Sequence, residues 1–95
     1  MRITVEMSLY PLKGDALEQI LGFIGVVTGD PRLEIVVNQL STQVRGELGV
    51  VMEVLTAAMQ TAFRGGVPQA LVVKFLNADL PILEPPVLDV TARPR

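Results

Sequence analysis

The stretch that most restricts the fold is "LEIVVNQLSTQVRGE", residues 33–47, in which two strand-like runs are separated by almost no chain. Residues 33–40 alternate: Ile35 and Val37 face one way and Glu34, Val36 and Asn38 the other, the period of a strand with two unlike faces. Ser41 and Thr42 supply the bend, and "QVRGE" reads as a strand returning alongside the first. So short a connection joins only antiparallel neighbours, because a parallel pair needs a crossover of about a dozen residues or more.

Helical and strand patterns flank this hairpin on both sides. Upstream, "RITVEMSLY" alternates strictly, with Ile3, Val5, Met7 and Leu9 on one face and Thr4, Glu6, Ser8 and Tyr10 on the other. Pro11 ends it, since proline donates nothing to a ladder. Gly14 and Asp15 offer a helix start, and Leu17, Ile20, Leu21, Ile24 and Val27 follow at helical spacing to about Thr28 and Gly29. Phe23 and Val26 fall off that stripe and are expected at the surface or against another chain.

Downstream, Leu48, Val51, Met52, Leu55, Ala58, Met59, Ala62 and Phe63 repeat at i, i+3, i+4, i+7, which predicts a helix over residues 48–64. On this stripe Met52 and Met59 are read as packing rather than ligand contacts. "RGG" stops the helix with a cation at the dipole's negative end and glycines that turn left-handed. Pro68 prevents a restart. "ALVVKFLN" then makes a fourth strand, with Leu71, Val73 and Phe75 on one side and Val72, Lys74 and Leu76 on the other.

The order β-α-β-β-α-β is the split βαβ of the ferredoxin-like fold: an α+β sandwich of one four-stranded antiparallel sheet with both helices on one face. Right-handed crossovers put the first and third strands in the centre. The opposite face would carry Thr4, Glu6, Ser8, Val36, Asn38, Val72 and Leu76, a surface apolar enough to favour pairing of two sheets in a dimer or tetramer. Lys74 and Glu6 are expected to pair across neighbouring strands of that face. The domain is placed at residues 1–78. The proline-rich extension 79–95 is expected as an edge strand, with 87–90 its strand-like part, or as an arm on a neighbouring subunit, and its last five residues as loose.

Composition narrows the function. Of 95 residues 49% are hydrophobic and 19% charged, which suits a packed domain small enough to gain from association. A net charge of -2 without a basic run disfavours nucleic acid. The absence of Cys and His removes thiolate nucleophiles, disulfides, the usual zinc sites and the commonest proton shuttle near neutral pH. The longest apolar run, "ILGFIGVV", is far short of the roughly 20 residues that span a bilayer. With a strand pattern directly after Met1 in place of a leader, the chain is expected to be soluble and cytoplasmic.

Three pieces together carry a resemblance: "SLYPL" (8–12), "LSTQVRGEL" (40–48) and the amphipathic helix that follows at once. In order and spacing, over residues 3–77, they resemble the YkoF-like, thiamine-binding-protein family, whose members are ferredoxin-like. The resemblance implies a non-enzymatic domain that binds thiamine or its hydroxymethylpyrimidine moiety and occurs as tandem repeats or as assembling single repeats; no cofactor and no metal are expected. This chain has one repeat, so a homo-oligomer is expected.

An aminopyrimidine presents an amino donor beside a ring-nitrogen acceptor, so its site needs a carboxylate or carboxamide for that edge and an apolar wall for its face. Glu6, Asn38, Gln43 and Glu47 have suitable side chains, and Tyr10 an aromatic face for a thiazolium. The resemblance adds Thr42 and Gln43, so the candidate ligand set is Ser8, Tyr10, Asn38, Thr42, Gln43 and Glu47. Structural readings stand beside it: Ser8 and Tyr10 as a polar strand face and rim, Glu47 as a charge at a helix N-terminus, and Arg45 with Glu47 as a pair. The other class of function is an assembly module whose Phe23, Val26, Val50 and Val54 meet a different protein. An enzyme on this fold ranks last, because neither a catalytic histidine nor a phosphate-cradling loop with an arginine is visible.

Overall fold

The computed structural model describes residues 1–13 and 17–88. Its elements are β1 (Arg2–Pro11), α1 (Leu17–Thr28), β2 (Glu34–Val37), β3 (Thr42–Glu47), α2 (Leu48–Phe63) and β4 (Gln69–Leu76). The sheet order β2-β3-β1-β4 is antiparallel throughout, the ferredoxin-like arrangement with β1 and β3 central. One side chain in two along β1 and β3 (Ile3, Val5, Met7, Val44) packs with Phe23 and Val27 of α1 and Val51, Val54, Leu55, Ala58 and Ala62 of α2. Alternation of period two therefore meets two helical stripes in a single core.

Two details depart from the sequence reading. The second strand is four residues long, not the eight of residues 33–40. The Asn38 N–H donates to the Ser41 carbonyl at 2.8 Å, so the chain reverses through Gln39 and Leu40 and Thr42 already belongs to β3. Asn38 is thus a turn residue, not part of the strand face. The helices are also rotated about their axes. In α1, Phe23 is 3% exposed while Leu17 and Leu21 lie about 60% exposed (59% and 60%), so the buried stripe is Ile20, Phe23, Ile24 and Val27. In α2, Val54 is buried, and Leu48, Met52 and Phe63 are exposed. Each helix offered two overlapping apolar stripes; α1 turns the large Phe23 inward, whereas α2 packs the small Ala58 and Ala62 on the sheet and leaves the larger Met52 and Phe63 outside.

The helix stop is as expected: Gly66 has φ 75° and its N–H reaches the Phe63 carbonyl at 3.1 Å. Gly46, opposite Ile3 on the core face, leaves room for Leu33, whose Cδ2 would lie 2.5 Å from an added Cβ. The expected helix start at Gly14 and Asp15 lies outside the described residues, as do Asp89, Val90 and the last five residues; Val87 and Leu88 form no strand. No helix among the described residues is long and apolar enough to cross a membrane.

Candidate functional site

β1 is longer than its partner β3. The β1–β3 ladder stops at Met7↔Thr42, while the β1–β4 ladder runs on to Pro11↔Gln69. The overhanging end of β1, the 38–41 turn and the underside of α1 enclose a cleft of about 330 Å³. Its apolar wall is Ile20, Phe23, Ile24 and Val37, and its polar groups come from Ser8, Tyr10, Asn38, Ser41 and Thr42.

The geometry at the cleft follows from strand parity. Thr42 pairs with the core-facing Met7, so its side chain points toward the helices, and the residue is only 8% exposed. Among the described residues its hydroxyl has no hydrogen-bond partner. Ser8, on the opposite face, donates from Oγ to the Leu40 carbonyl at 3.1 Å and so ties the turn to β1. Tyr10 is half exposed at the rim.

Four of the six candidate residues, Ser8, Tyr10, Asn38 and Thr42, therefore meet at one place, and two do not. Gln43 is on the open face, directly between Val36 and Glu6, where it borders a second hollow with Thr4, Lys74, Leu76, Leu80 and Ile82. Glu47 lies at the far end of β3, at the N-cap position of α2, where its carboxylate takes the Met1 ammonium at 3.1 Å and makes no capping bond. Arg45 does not pair with Glu47. It reaches Asp79 at 2.6 Å and Glu34 at 3.0 Å, because the residue opposite it on β2 and the segment after β4 are closer than a neighbour two places along its own strand.

The expected Lys74–Glu6 pair is present at 2.9 Å between directly opposed residues. Lys74, and then the Ser41 hydroxyl at 3.1 Å, hold the Glu6 carboxyl below its ordinary range. Both Glu6 oxygens are thus engaged, which leaves little for a ligand's donor edge.

Sequence reasoning missed the α1 wall and the role of residues 78–80. Phe23 was legible, since Ile20, Phe23, Ile24 and Val27 are also spaced i, i+3, i+4, i+7. Residues 78–80 cross the open face at its other end: Thr4 Oγ1 donates to the Ala78 carbonyl at 2.7 Å and accepts the Leu80 N–H at 2.9 Å. Asp79 between them takes Arg45 and Arg2, at 2.6 and 3.2 Å, and these guanidinium groups, Arg45 first, hold its carboxyl below the ordinary range. No local pattern connects Asp79 with residues so distant in the chain.

The sandwich with an open sheet face and an end-on cleft defines the structural class. Neither a family model nor a curated relative matches the sequence. Solved structures do share the fold. A domain of unknown function, DUF77, from Bacillus cereus superimposes with a TM-score of 0.70 at 22% identity, over 82% of this chain and 77% of that one. Protein SP2199 from Streptococcus pneumoniae gives 0.71 at 18% identity, over 97% and 92% of the two chains. A Thermotoga maritima protein, provisionally assigned to thiamine biosynthesis or salvage, gives 0.70 at 17%, over 82% and 85%. At these identities the likeness is one of fold.

Proposed function

We propose that the chain is a non-enzymatic carrier or sensor domain that binds thiamine or a hydroxymethylpyrimidine-like precursor in the cleft beneath α1, as a homo-oligomer. The observation that carries this reading is the Thr42 hydroxyl: a side chain nine-tenths buried, aimed into an apolar-walled cleft, with no partner among the described residues. Open to the cleft and without a protein partner among the described residues, that hydroxyl is free to hydrogen-bond a polar ligand. Asn38 and Tyr10 at the rim supply further polar contacts, and Phe23 with Ile24 covers a flat ring. At about 330 Å³ the cleft is at the small end of ligand sites, a size suited to one pyrimidine. The Thermotoga maritima neighbour supports the choice of ligand.

The open face supports assembly, since Val72 and Leu76 are about half exposed there beside the Glu6–Lys74 pair. Isothermal titration with thiamine and with hydroxymethylpyrimidine tests the ligand, and sedimentation velocity the assembly. Saturable heat that Thr42→Val weakens roughly five- to tenfold is expected. No heat and no thermal shift with either compound would overturn the reading.

An assembly module without a small ligand is the second reading. The helix surface expected for it is not available, since Phe23 and Val54 are core residues. An exposed apolar patch of Met1, Leu48, Met52, Phe75 and Leu76 at the opposite end of the sheet favours it instead.

A further inference from the structure

The backbone of β1 carries an unused hydrogen-bonding edge at Leu9. In an antiparallel ladder alternate residues direct both N–H and C=O to one neighbour, and those between direct theirs to the other. The Leu48 N–H donates to the Met1 carbonyl at 2.9 Å, in continuation of the β1–β3 register, so the odd residues of β1 face β3. On the other side the Leu12 N–H donates to the Pro68 carbonyl at 3.0 Å, so the even residues face β4. Leu9 therefore turns both backbone groups toward β3. The β3 ladder, however, has ended at Met7↔Thr42, and in place of a strand residue stands the reversing turn, whose Leu40 carbonyl is held by Ser8. Leu9 lines the cleft, and no hydrogen bond to its backbone from a turn or loop is present among the described residues.

A strand N–H and C=O left out of the ladder are taken by water or by a ligand. We infer that the Leu9 backbone is the polar anchor of the cleft, and that it pairs in plane with a ligand edge presenting a donor beside an acceptor, as in an aminopyrimidine or a cis-amide ring. Such pairing continues the sheet by one rung with a small molecule in place of Leu40. The edge is one residue long, bounded by Thr42 on one side and by Pro11, which has no N–H, on the other. A peptide strand needs several such rungs, so the occupant is a single flat ring. Phe23 and Ile24 would cover its face, and the Thr42 hydroxyl lies beside it. This inference rests on the reading of the cleft as a small-molecule site and adds the group that selects the molecule.

Amide hydrogen exchange followed by NMR on the full chain tests it with three probes: 4-amino-5-hydroxymethyl-2-methylpyrimidine, the same ring without its amino group, and 2-pyridone. In the protein alone, the Leu9 amide is expected to exchange on the order of a hundredfold faster than those of Ser8 and Tyr10 on either side, which are paired to β4. Aminopyrimidine is expected to slow Leu9 at least tenfold, and the analogue lacking the amino group to bind at least tenfold more weakly. Protection of Leu9 by 2-pyridone, with no binding of the aminopyrimidine, would sustain the edge and overturn the thiamine-type reading. Aminopyrimidine bound with Leu9 exchange unchanged would overturn the edge and leave that reading intact. Leu9 as slow as its neighbours without any probe, or unmoved by all three, would overturn the inference outright.

Discussion

Thr4 and Thr42 are the two buried polar side chains among the described residues, 6% and 8% exposed, and the fold treats them in opposite ways. Thr4, toward the start of β1, is saturated: residues 78–80 bring it an acceptor and a donor, and Asp79 locks the same segment onto Arg2 and Arg45. Thr42, at the other end of the sheet, faces the cleft with no hydroxyl partner among the described residues. One end of the sheet spends its hydrogen bonds on holding the chain together. The other leaves the Thr42 hydroxyl without such a bond among the described residues and is stabilised by the apolar packing of Phe23.

The largest test of this contrast is Phe23→Ala. It removes the aromatic wall of the open end and is expected to lower unfolding stability by about 3–5 kcal/mol in chemical denaturation. A cost under about 1 kcal/mol would mean that α1 is not held there. Next come the matched substitutions of the two threonines. Thr4→Val leaves a buried carbonyl and N–H without their partner and is expected to cost about 1–3 kcal/mol, with faster proteolysis after Ala78. Thr42→Val replaces an unpaired hydroxyl by a methyl and is expected to leave the denaturation midpoint unchanged or raised while weakening pyrimidine binding. Equal losses from both would erase the distinction.

Acid should loosen the locked end through Asp79. Because Arg45 and Arg2 hold the Asp79 carboxyl below its ordinary range, its contribution is complete above about pH 4 and is lost as pH falls through the lowered value. Unfolding followed from pH 5 downward should therefore be steeper for the unaltered protein than for Asp79→Asn, and a common slope would show that the segment is not pinned electrostatically. The smallest effect belongs to Ser8→Ala, which frees the Leu40 carbonyl at an exposed turn. Its stability change is expected within about 0.5 kcal/mol, and its signature is faster amide exchange at residues 39–41.

Local pattern carried much of the fold. The alternation of β1, the tight hairpin and the glycines after α2 each specify an element through steric or hydrogen-bonding rules that act over a few residues, and strand order then followed from handedness. The Glu6–Lys74 pair was legible for the same reason, since residues opposed across adjacent strands are set by register. Of the candidate residues, Ser8, Tyr10, Asn38 and Thr42 share one cleft, because the end of one strand and a nearby turn converge in this topology. Gln43 and Glu47 were grouped with them for their side-chain chemistry, and Gln43 also through the resemblance. Period two sends Gln43 to the opposite face from Thr42, and the length of β3 carries Glu47 to the other end of the sheet.

By itself, then, the sequence determined which segments are strands and helices, how they connect, and which side chains share a face, because those follow from periods of two and 3.6 and from short connections. Only the tertiary structure decided which of two apolar stripes α1 turns inward, that Asp79 closes over Arg2 and Arg45, and that β1 outruns β3 by enough to leave Leu9 beyond the β3 ladder. These depend on distances between segments far apart in the chain, which packing volume and strand lengths set jointly and no local pattern encodes.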